Sequence, residues 1–489
     1  MRAFSLLFLL LFTVLHAGIL QEDQTKQAIV KIYTVAKVPN YLSPWDSRIE
    51  SYTGSGAIIE GNTILTNAHV VANQAFLEVQ RYGERKRYIA KVYAVSHQAD
   101  LALLKVDDPA FFKGVVPLAF GTLPQVEQKI VVYGYPMGGD TLSATIGVVS
   151  RVEHHIYAHS GESFLAVQVD AAVNPGNSGG PALSGGKIVG VVMQVITKSQ
   201  NIGYLVPVTM VKHFIDDMKD GRCDGFADLG IATQKLENPA MRHYYGLDEN
   251  VTGKLVDKIL YNSPAKGRLK VGDILTAIDG HTIENDGTVE FRRHEYTNFY
   301  YFVDRHQMGE RVRFDIIRNR KPMRVEVPLT MTGDEIFLVK TMRYDRMPSY
   351  FIYGGYVFSP LTRNLILSTN RNRLKLSCLA GKWQKRERRE AVVLLKVLAS
   401  EISRGDNRFG MWPIVKVNGK TFTDFHAFLS LLQAAESRYC VLEDSDGVKV
   451  IIDREEALGR QRAILRKYNI EFDRSADLRK KHPHSDETQ

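Results

Sequence analysis

Cysteine is scarce in this chain, with three residues, Cys223, Cys378 and Cys440, in 489 positions. At most one disulfide could form. No C-x-x-C pair sets up a metal or redox site, so a disulfide-built scaffold is excluded and no metal is expected. Charge of one sign is not in useful excess either. Sixty-three Lys and Arg face 54 Asp and Glu, for a formal net charge of +9. That balance lacks the concentrated basic footprint of a nucleic-acid binder, so no nucleic acid is expected as partner. Beyond the first twenty residues no run approaches the ~18 uncharged apolar residues of a bilayer span. No Walker motif is present to couple the chain to nucleotide hydrolysis.

What is present is ordinary in bulk: 44% hydrophobic and 24% charged residues, as in a typical globular protein. At ~100–200 residues per domain, the length calls for about three domains. The first twenty residues differ from the rest. Arg2 precedes an apolar run over 6–15, broken only by Thr13, and small residues follow at Ala17 and Gly18. The run is too short to cross a bilayer but suits a signal peptide, so 1–20 is expected to direct export, with the bacterial periplasm as the compartment. An uncleaved anchor that tethers the chain to a membrane is the alternative, because His16 and Leu15 stand where small residues are preferred at a cleavage site.

From about residue 25 short apolar runs alternate with Gly and polar turns, at 28–33, 56–59, 63–66, 76–80, 89–95, 101–106, 130–134, 144–149, 165–169, 187–194 and 203–206. Strands at such short spacing predict a mainly β domain over 25–220, a sandwich or barrel pair, closed by a helix over 207–218. A small, polar linker follows at 220–228. A second module is expected over 225–335, with a hairpin of 311–317 and 324–329. A third is expected over 345–460, with helical periodicity at 389–399 and 424–433. A polar C-terminal tail is expected over 461–489.

The most informative stretch is Asn174-Pro175-Gly176-Asn177-Ser178-Gly179-Gly180-Pro181. A serine hydroxyl is a weak nucleophile that needs an adjacent base, and the oxyanion formed by its attack needs N–H donors. A Gly-x-Ser-Gly-Gly loop can offer the N–H groups of Gly176 and Ser178; a glycine-rich hairpin with an incidental serine is the alternative. His69, in Leu65-Thr66-Asn67-Ala68-His69-Val70, ends an apolar strand and is the candidate base. Asp100, before the apolar run Leu101-Ala102-Leu103-Leu104, is the candidate carboxylate that would orient the imidazole. Either residue alone reads as readily as a packed or turn-capping side chain.

Taken together, Thr53-Gly54-Ser55-Gly56-Ala57, the two segments above, Gly134-Tyr135-Pro136 and the serine loop closely resemble the HtrA/Deg (Do-like) trypsin-type serine proteases. The resemblance implies a chymotrypsin-like double β-barrel with His69 as general base, Asp100 as its orienting partner, Ser178 as nucleophile, and Gly176 and Ser178 as oxyanion donors. A pocket for the residue before the scissile bond is expected between Val191 and Ile196, where Met193 and its apolar neighbours would admit a modest aliphatic side chain; membership of the barrel core is the alternative for each of these residues. Asp228-Leu229-Gly230-Ile231, with Leu269-Lys270-Val271-Gly272-Asp273-Ile274-Leu275, resembles a PDZ domain of the Deg type. There Leu229, Gly230 and Ile231 would receive the carboxylate of C-terminal peptides. The aromatic-rich 296–303 either lines that groove or packs against a neighbouring domain.

The third region, through Gly354-Gly355-Tyr356-Val357-Phe358 and Val415-Lys416-Val417-Asn418-Gly419, is similar to the divergent second PDZ-like domain of plant-type Do-like proteases. It shows no clear carboxylate loop, and an assembly or regulatory role is expected. The resemblance implies an ATP-independent endopeptidase that degrades unfolded or damaged proteins, without cofactor, as a homo-oligomer of trimers or their multiples. Tyr33, Tyr41 and Trp45 are candidate interface aromatics. A holdase chaperone or peptide-sensing scaffold with little proteolysis is the functional alternative.

Overall fold

The structure is a computed structural model that describes residues 23–136, 139–195, 202–434 and 436–479. The expected signal peptide, 1–20, lies outside the described residues. The chain divides into two compact units: Met1–Ala36, Ile49–Lys258 and Gly267–Met331 form the first, and Lys37–Arg48, Ile259–Lys266 and Thr332–Gln489 the second.

The first unit opens with six antiparallel strands, β1 (Ile29–Pro39), β2 (Ser47–Ile59), β3 (Thr63–Thr66), β4 (Gln74–Arg81), β5 (Arg87–Ser96) and β6 (Leu101–Val106). They close as a barrel in the order β1-β2-β3-β6-β5-β4. β5 alternates exposed and buried positions along most of its length, as a strand with one face on a core must. β3 and most of β6 are buried on both sides, which is why they read as continuous apolar runs. A second closed barrel follows from β7 (Lys129–Gly134), β8 (Ser143–Ile156), β9 (Ser163–Val169), β10 (Pro181–Ser184), β11 (Lys187–Val195) and β12 (Gly203–Pro207). The helix Val208–Asp217 closes this part, within a residue of each expected end.

The rest of the first unit is a sheet of β13 (Ile231–Lys235), β14 (Lys254–Ile259), β15 (Ile274–Ile278), β19 (Arg311–Arg318) and β20 (Lys321–Pro328), in that order, with β16 (His281–Thr282) paired to β15. The β19–β20 hairpin is the expected one. Its turn residues Asn319 and Arg320 both take positive φ, 50° and 61°, the geometry of a type I′ turn whose twist matches its strands. Asp273 is buried and grips Arg318 through two bonds of 2.7 Å, which gives its segment a structural anchor. Between β16 and β19 a small hairpin, β17 (Thr288–Arg292) and β18 (Glu295–Asn298), is followed by the helix Tyr300–Val303. Phe291 and Tyr301 pack against the core of the second barrel, and His154 Nδ1 of β8 lies 2.9 Å from Thr297 Oγ1. The aromatic stretch therefore packs against a neighbouring domain.

The second unit contains an antiparallel sheet of β21 (Phe351–Tyr353), β22 (Tyr356–Pro360), β23 (Val392–Val397) and β24 (Trp412–Ile414), and a second of β25 (Lys416–Val417), β26 (Tyr439–Glu443) and β27 (Lys449–Asp453). Two expectations fail here. The helical periodicity at 389–399 is instead strand β23, flanked on both sides and buried at Val392, Val393, Leu394 and Leu395; a short run apolar on every face carries no reliable period. Residues 461–479 of the expected polar tail are also folded. The helix Arg454–Lys467 is capped by Asp453, which accepts the N–H groups of Glu455 and Glu456, and it carries acids in its first turn and bases in its last. Beyond it, Ile352 donates its N–H to Asp473 at 2.7 Å and Ser475 is buried. The helix at 424–433 appears as Phe425–Gln433, capped by Asp424.

Tyr41 and Trp45 pack in the core of this second unit, where Trp45 meets Tyr350 edge to face at 5.8 Å. In the third region's Gly-Gly turn, the Gly354 N–H is bonded to Gln461 Oε1 at 2.7 Å, which ties the turn to the helix Arg454–Lys467. Among the described residues no helix is long and apolar enough to cross a membrane.

Candidate active site

His69 sits in a single helical turn, Ala68–Val71, directly after β3, and Asp100 directly before β6. Because β3 and β6 are hydrogen-bonded neighbours, with Thr66 opposite Ala102, the two residues meet at one end of that pair. Asp100 Oδ2 lies 2.7 Å from His69 Nδ1, and its Oδ1 accepts the His69 N–H at 2.9 Å. One carboxylate thus fixes both the ring and the backbone of the histidine. Asp100 is 1% exposed, while the His69 side chain keeps 32% of its surface open.

This placement requires Asp100 to adopt φ +54°, a left-handed conformation uncommon outside glycine, asparagine and aspartate. The buried Asn67 holds it there, donating its side-chain amide to the Asp100 carbonyl at 2.8 Å. For the Asp100 carboxyl, burial pushes upward, but the charge of and hydrogen bond to His69 prevail and hold it below the ordinary value. For His69, burial pulls downward, and the Asp100 charge and hydrogen bond prevail in the opposite sense, raising it. The arrangement stabilises an imidazolium over a carboxylate, as a proton-accepting base requires.

The serine loop is pinned by backbone bonds from Asn177 to Asn174 (3.0 Å), Gly179 to Val192 (2.9 Å) and Gly180 to Asn177 (2.9 Å). Among the described residues, the N–H groups of Gly176 and Ser178 make no such bond, and these are the two the sequence singled out. Gly176 takes φ +100°. Its carbonyl is turned onto the Ser55 hydroxyl, which donates to it at 2.7 Å and accepts the Tyr135 N–H at 2.8 Å. Ser55 also donates its own N–H to the Ser178 carbonyl at 2.9 Å, and its carbonyl accepts Thr66 Oγ1 at 2.7 Å. One fully buried serine therefore holds the Ser178 loop at two points and ties it to β3.

The close approach explains Gly179. A Cβ there would lie 2.2 Å from Ser55 O and from Thr66 Oγ1, and 3.2 Å from the Asn67 nitrogen, two residues before His69. The loop thereby packs directly against the backbone of Ser55 and of the Thr66–Asn67 segment that leads into His69. The Ser178 hydroxyl donates to the Met193 carbonyl at 3.4 Å. Among the described residues it makes no hydrogen bond to His69, a bond that is often long or absent in a free enzyme.

Sequence reasoning missed Ser55, Thr66 and Asn67 as positioning residues, although each lies inside a quoted motif; nothing in a polar side chain's identity says which backbone group it will hold. It also missed His159, buried in the β8–β9 connection, whose ring lies 6.1 Å from that of His69 and whose Nε2 is 2.9 Å from His97 Nδ1. Val191 and Met193, expected to line a specificity pocket, belong to the apolar core, and Ile196 lies outside the described residues. At the proposed carboxylate loop Leu229, Gly230 and Ile231 are all buried, and the Gly230 N–H is bonded to Asp228 Oδ1 at 2.7 Å. Among the described residues no group of three or more His, Cys, Asp or Glu is placed to hold a metal ion.

Comparison with known proteins agrees with this architecture. Residues 54–191 match the trypsin-like peptidase domain, and residues 227–329 and 339–477 each match a PDZ domain. Protease Do-like 4, mitochondrial, of Arabidopsis thaliana is 38% identical over 88% of this chain and 81% of its own length. Protease Do-like 2, chloroplastic, of the same plant is 37% identical over 92% of this chain and 75% of its own. The HtrA-type protease AlgW, solved with a tripeptide, covers 64% of this chain and 96% of its own, with a TM-score of 0.51 at 23% identity, a likeness of fold. A mainly β chain of two closed barrels and two PDZ domains, with full-length relatives of this kind, belongs to the Do-like (HtrA/Deg) family of trypsin-type serine proteases.

Proposed function

We propose that the chain is an ATP-independent serine endopeptidase of unfolded or damaged proteins, with Ser178 as nucleophile, His69 as general base and Asp100 as the residue that orients and charges His69. The observation that carries this reading is the buried Asp100 carboxylate held 2.7 Å from His69 Nδ1, together with a serine loop in which, among the described residues, the Gly176 and Ser178 N–H groups make no backbone bond. Ser178 Oγ attacks the scissile carbonyl carbon as its proton passes to His69 Nε2. The oxyanion is received by the N–H groups of Gly176 and Ser178. Collapse breaks the C–N bond, and His69 returns the proton to the leaving amine. Water, deprotonated by the same imidazole, then attacks the acyl-enzyme and releases the acid. Cleavage of denatured casein by the purified protein should vanish in Ser178→Ala; retained cleavage refutes the assignment.

In this reading the first PDZ domain recruits extended peptide by strand addition, with Leu229, Gly230 and Ile231 as its terminal loop. Assembly into trimers or their multiples belongs to the same proposal and is tested by mass in solution. Residues 1–20 act as a targeting segment for a compartment outside the cytosol. Two relatives are named mitochondrial and chloroplastic, so an organelle stands beside the periplasm as that compartment. N-terminal sequencing of the mature protein distinguishes a removed segment from a retained tether. Ser178 Oγ donates to Met193 O at 3.4 Å, a long bond that must be given up when the hydroxyl turns to His69 in the substrate complex. Reaction with a fluorophosphonate tests whether the hydroxyl can do so without added peptide.

A further inference from the structure

The loop that the family pattern reserves for a peptide's terminal carboxylate already holds a carboxylate. Asp228 Oδ1 accepts the Gly230 N–H at 2.7 Å, and the Leu229 N–H bonds to the same group. The Tyr300 hydroxyl, on the helix Tyr300–Val303, hydrogen-bonds the Asp228 carboxylate and also borders the Leu229 N–H. The Asp228 N–H is anchored to the Met331 carbonyl at 2.8 Å, which fixes the backbone from which the side chain folds back.

The titratable groups that face Asp228 are Tyr300 and Asp304, and neither supplies a positive charge. Asp304 is 6% exposed, and His154 Nε2 lies 3.3 Å from it. Tyr157 and His213 also border Asp304. A free C-terminus drawn to the Leu229 and Gly230 N–H groups would set a second carboxylate beside the first, over shared donors, and two carboxylates in one site do not both stay ionised without cost. Burial pushes the Asp228 carboxyl up to about 6, with the Asp304 charge adding to it and the Gly230 N–H opposing. The remainder of the groove carries no such conflict. β13 follows the loop directly and is the end strand of its sheet, so its outer N–H and C=O groups can pair with an extended chain whatever that chain's end.

We infer that Asp228 is a built-in competitor for the terminal carboxylate, so that at neutral pH this site takes an uncharged extended segment, such as an internal stretch of an unfolded chain, in preference to a free C-terminus. The inference rests on the reading of this domain as a peptide binder. The test uses the full chain carrying Ser178→Ala, to prevent cleavage, with and without Asp228→Asn. The probe is a fluorescein-labelled nonapeptide pool with Val, Leu and Phe in the last three positions, prepared as free acids and as amides. Binding is followed by fluorescence anisotropy at pH 7.5 and 5.5.

The expected result is at least tenfold tighter binding of the amides at pH 7.5. That gap should close to within threefold at pH 5.5, and at both pH values in Asp228→Asn. Free acids that bind as tightly as amides at pH 7.5 overturn the inference and leave the peptide reading intact. An amide preference that survives Asp228→Asn overturns the role of Asp228. No binding of either pool by either protein overturns the peptide reading itself, and the inference with it.

Discussion

Replacing Ser55 with alanine removes one hydroxyl and strands two backbone groups. The Gly176 carbonyl loses a donor at 2.7 Å and the Tyr135 N–H loses an acceptor at 2.8 Å, at a site with no solvent exposure to replace them. An unsatisfied buried group costs about 1–3 kcal/mol, so with two stranded groups the variant should lose roughly 2–6 kcal/mol of stability if the loop stays in place. If the Gly176–Asn177 peptide instead turns to find a new partner, the stability loss is smaller and the oxyanion donors lose their aim. Loss of one such donor lowers kcat by ~10²–10³. The two outcomes trade against each other, and both depress the enzyme. Steady-state hydrolysis of a fluorogenic peptide should show a fall in kcat of about a hundredfold with little change in KM, because the substrate's ground-state contacts are untouched. At ~2–4 °C per kcal/mol for a domain of this size, the thermal midpoint should drop by at least about 4 °C and by as much as roughly 24 °C if the loop stays in place. A variant with native circular dichroism, an unshifted midpoint and kcat within threefold of the parent would refute the claim that Ser55 holds the loop.

Gly179→Ala should abolish activity and cost about 3 kcal/mol or more, because the residue lies at φ +83° and its Cβ would overlap Ser55 O and Thr66 Oγ1; urea denaturation measures the loss. Activity requires neutral His69, whose proton affinity is raised, so kcat/KM should fall on acidification through a pH above the ordinary imidazole value. Asp100→Asn should move that inflection down and lower kcat by ~10⁴, and an unmoved inflection would separate the two residues. The Asp228 carboxyl, at about 6 when folded against an ordinary 3.8, binds more protons in the folded state, so its contribution to stability declines as pH rises between those values. Asp228→Asn should therefore gain on the parent from pH 4 to pH 7, by at most about 3 kcal/mol and roughly half that with solvent screening, as thermal melts across that range would show.

The candidate site was legible in the sequence wherever chemistry is written in residue type and order. A serine among glycines, a histidine after one apolar strand and an aspartate before another identify a reaction class, because few other side chains could serve those roles. Strand placement in the barrels was equally legible: 63–66 and 101–106 have the bounds of β3 and β6, since turn residues punctuate them. Period was not legible where every face is buried, and β23 was taken for a helix for that reason. Nor did composition reveal that 461–479, polar as it is, folds onto the second unit by capping, hydrogen bonds and a few apolar contacts.

By itself, the sequence pointed to the family, the order of a protease domain and two PDZ domains, and the candidate reactive side chains. Only the tertiary structure decided which polar groups hold one another: Ser55 on the Gly176 carbonyl, Asn67 on the Asp100 carbonyl, and Asp228 on the loop thought to await a ligand. The physical reason is that Ser55 reaches a partner 121 residues away, so its bond depends on barrel register and loop curvature. Asp228 needs only a partner two residues on, but its backbone is held by the Met331 carbonyl and its carboxylate by Tyr300, both far along the chain. Scarce cysteine told the reader that no disulfide framework organises the fold; close backbone packing and buried hydrogen bonds are what position the catalytic loop.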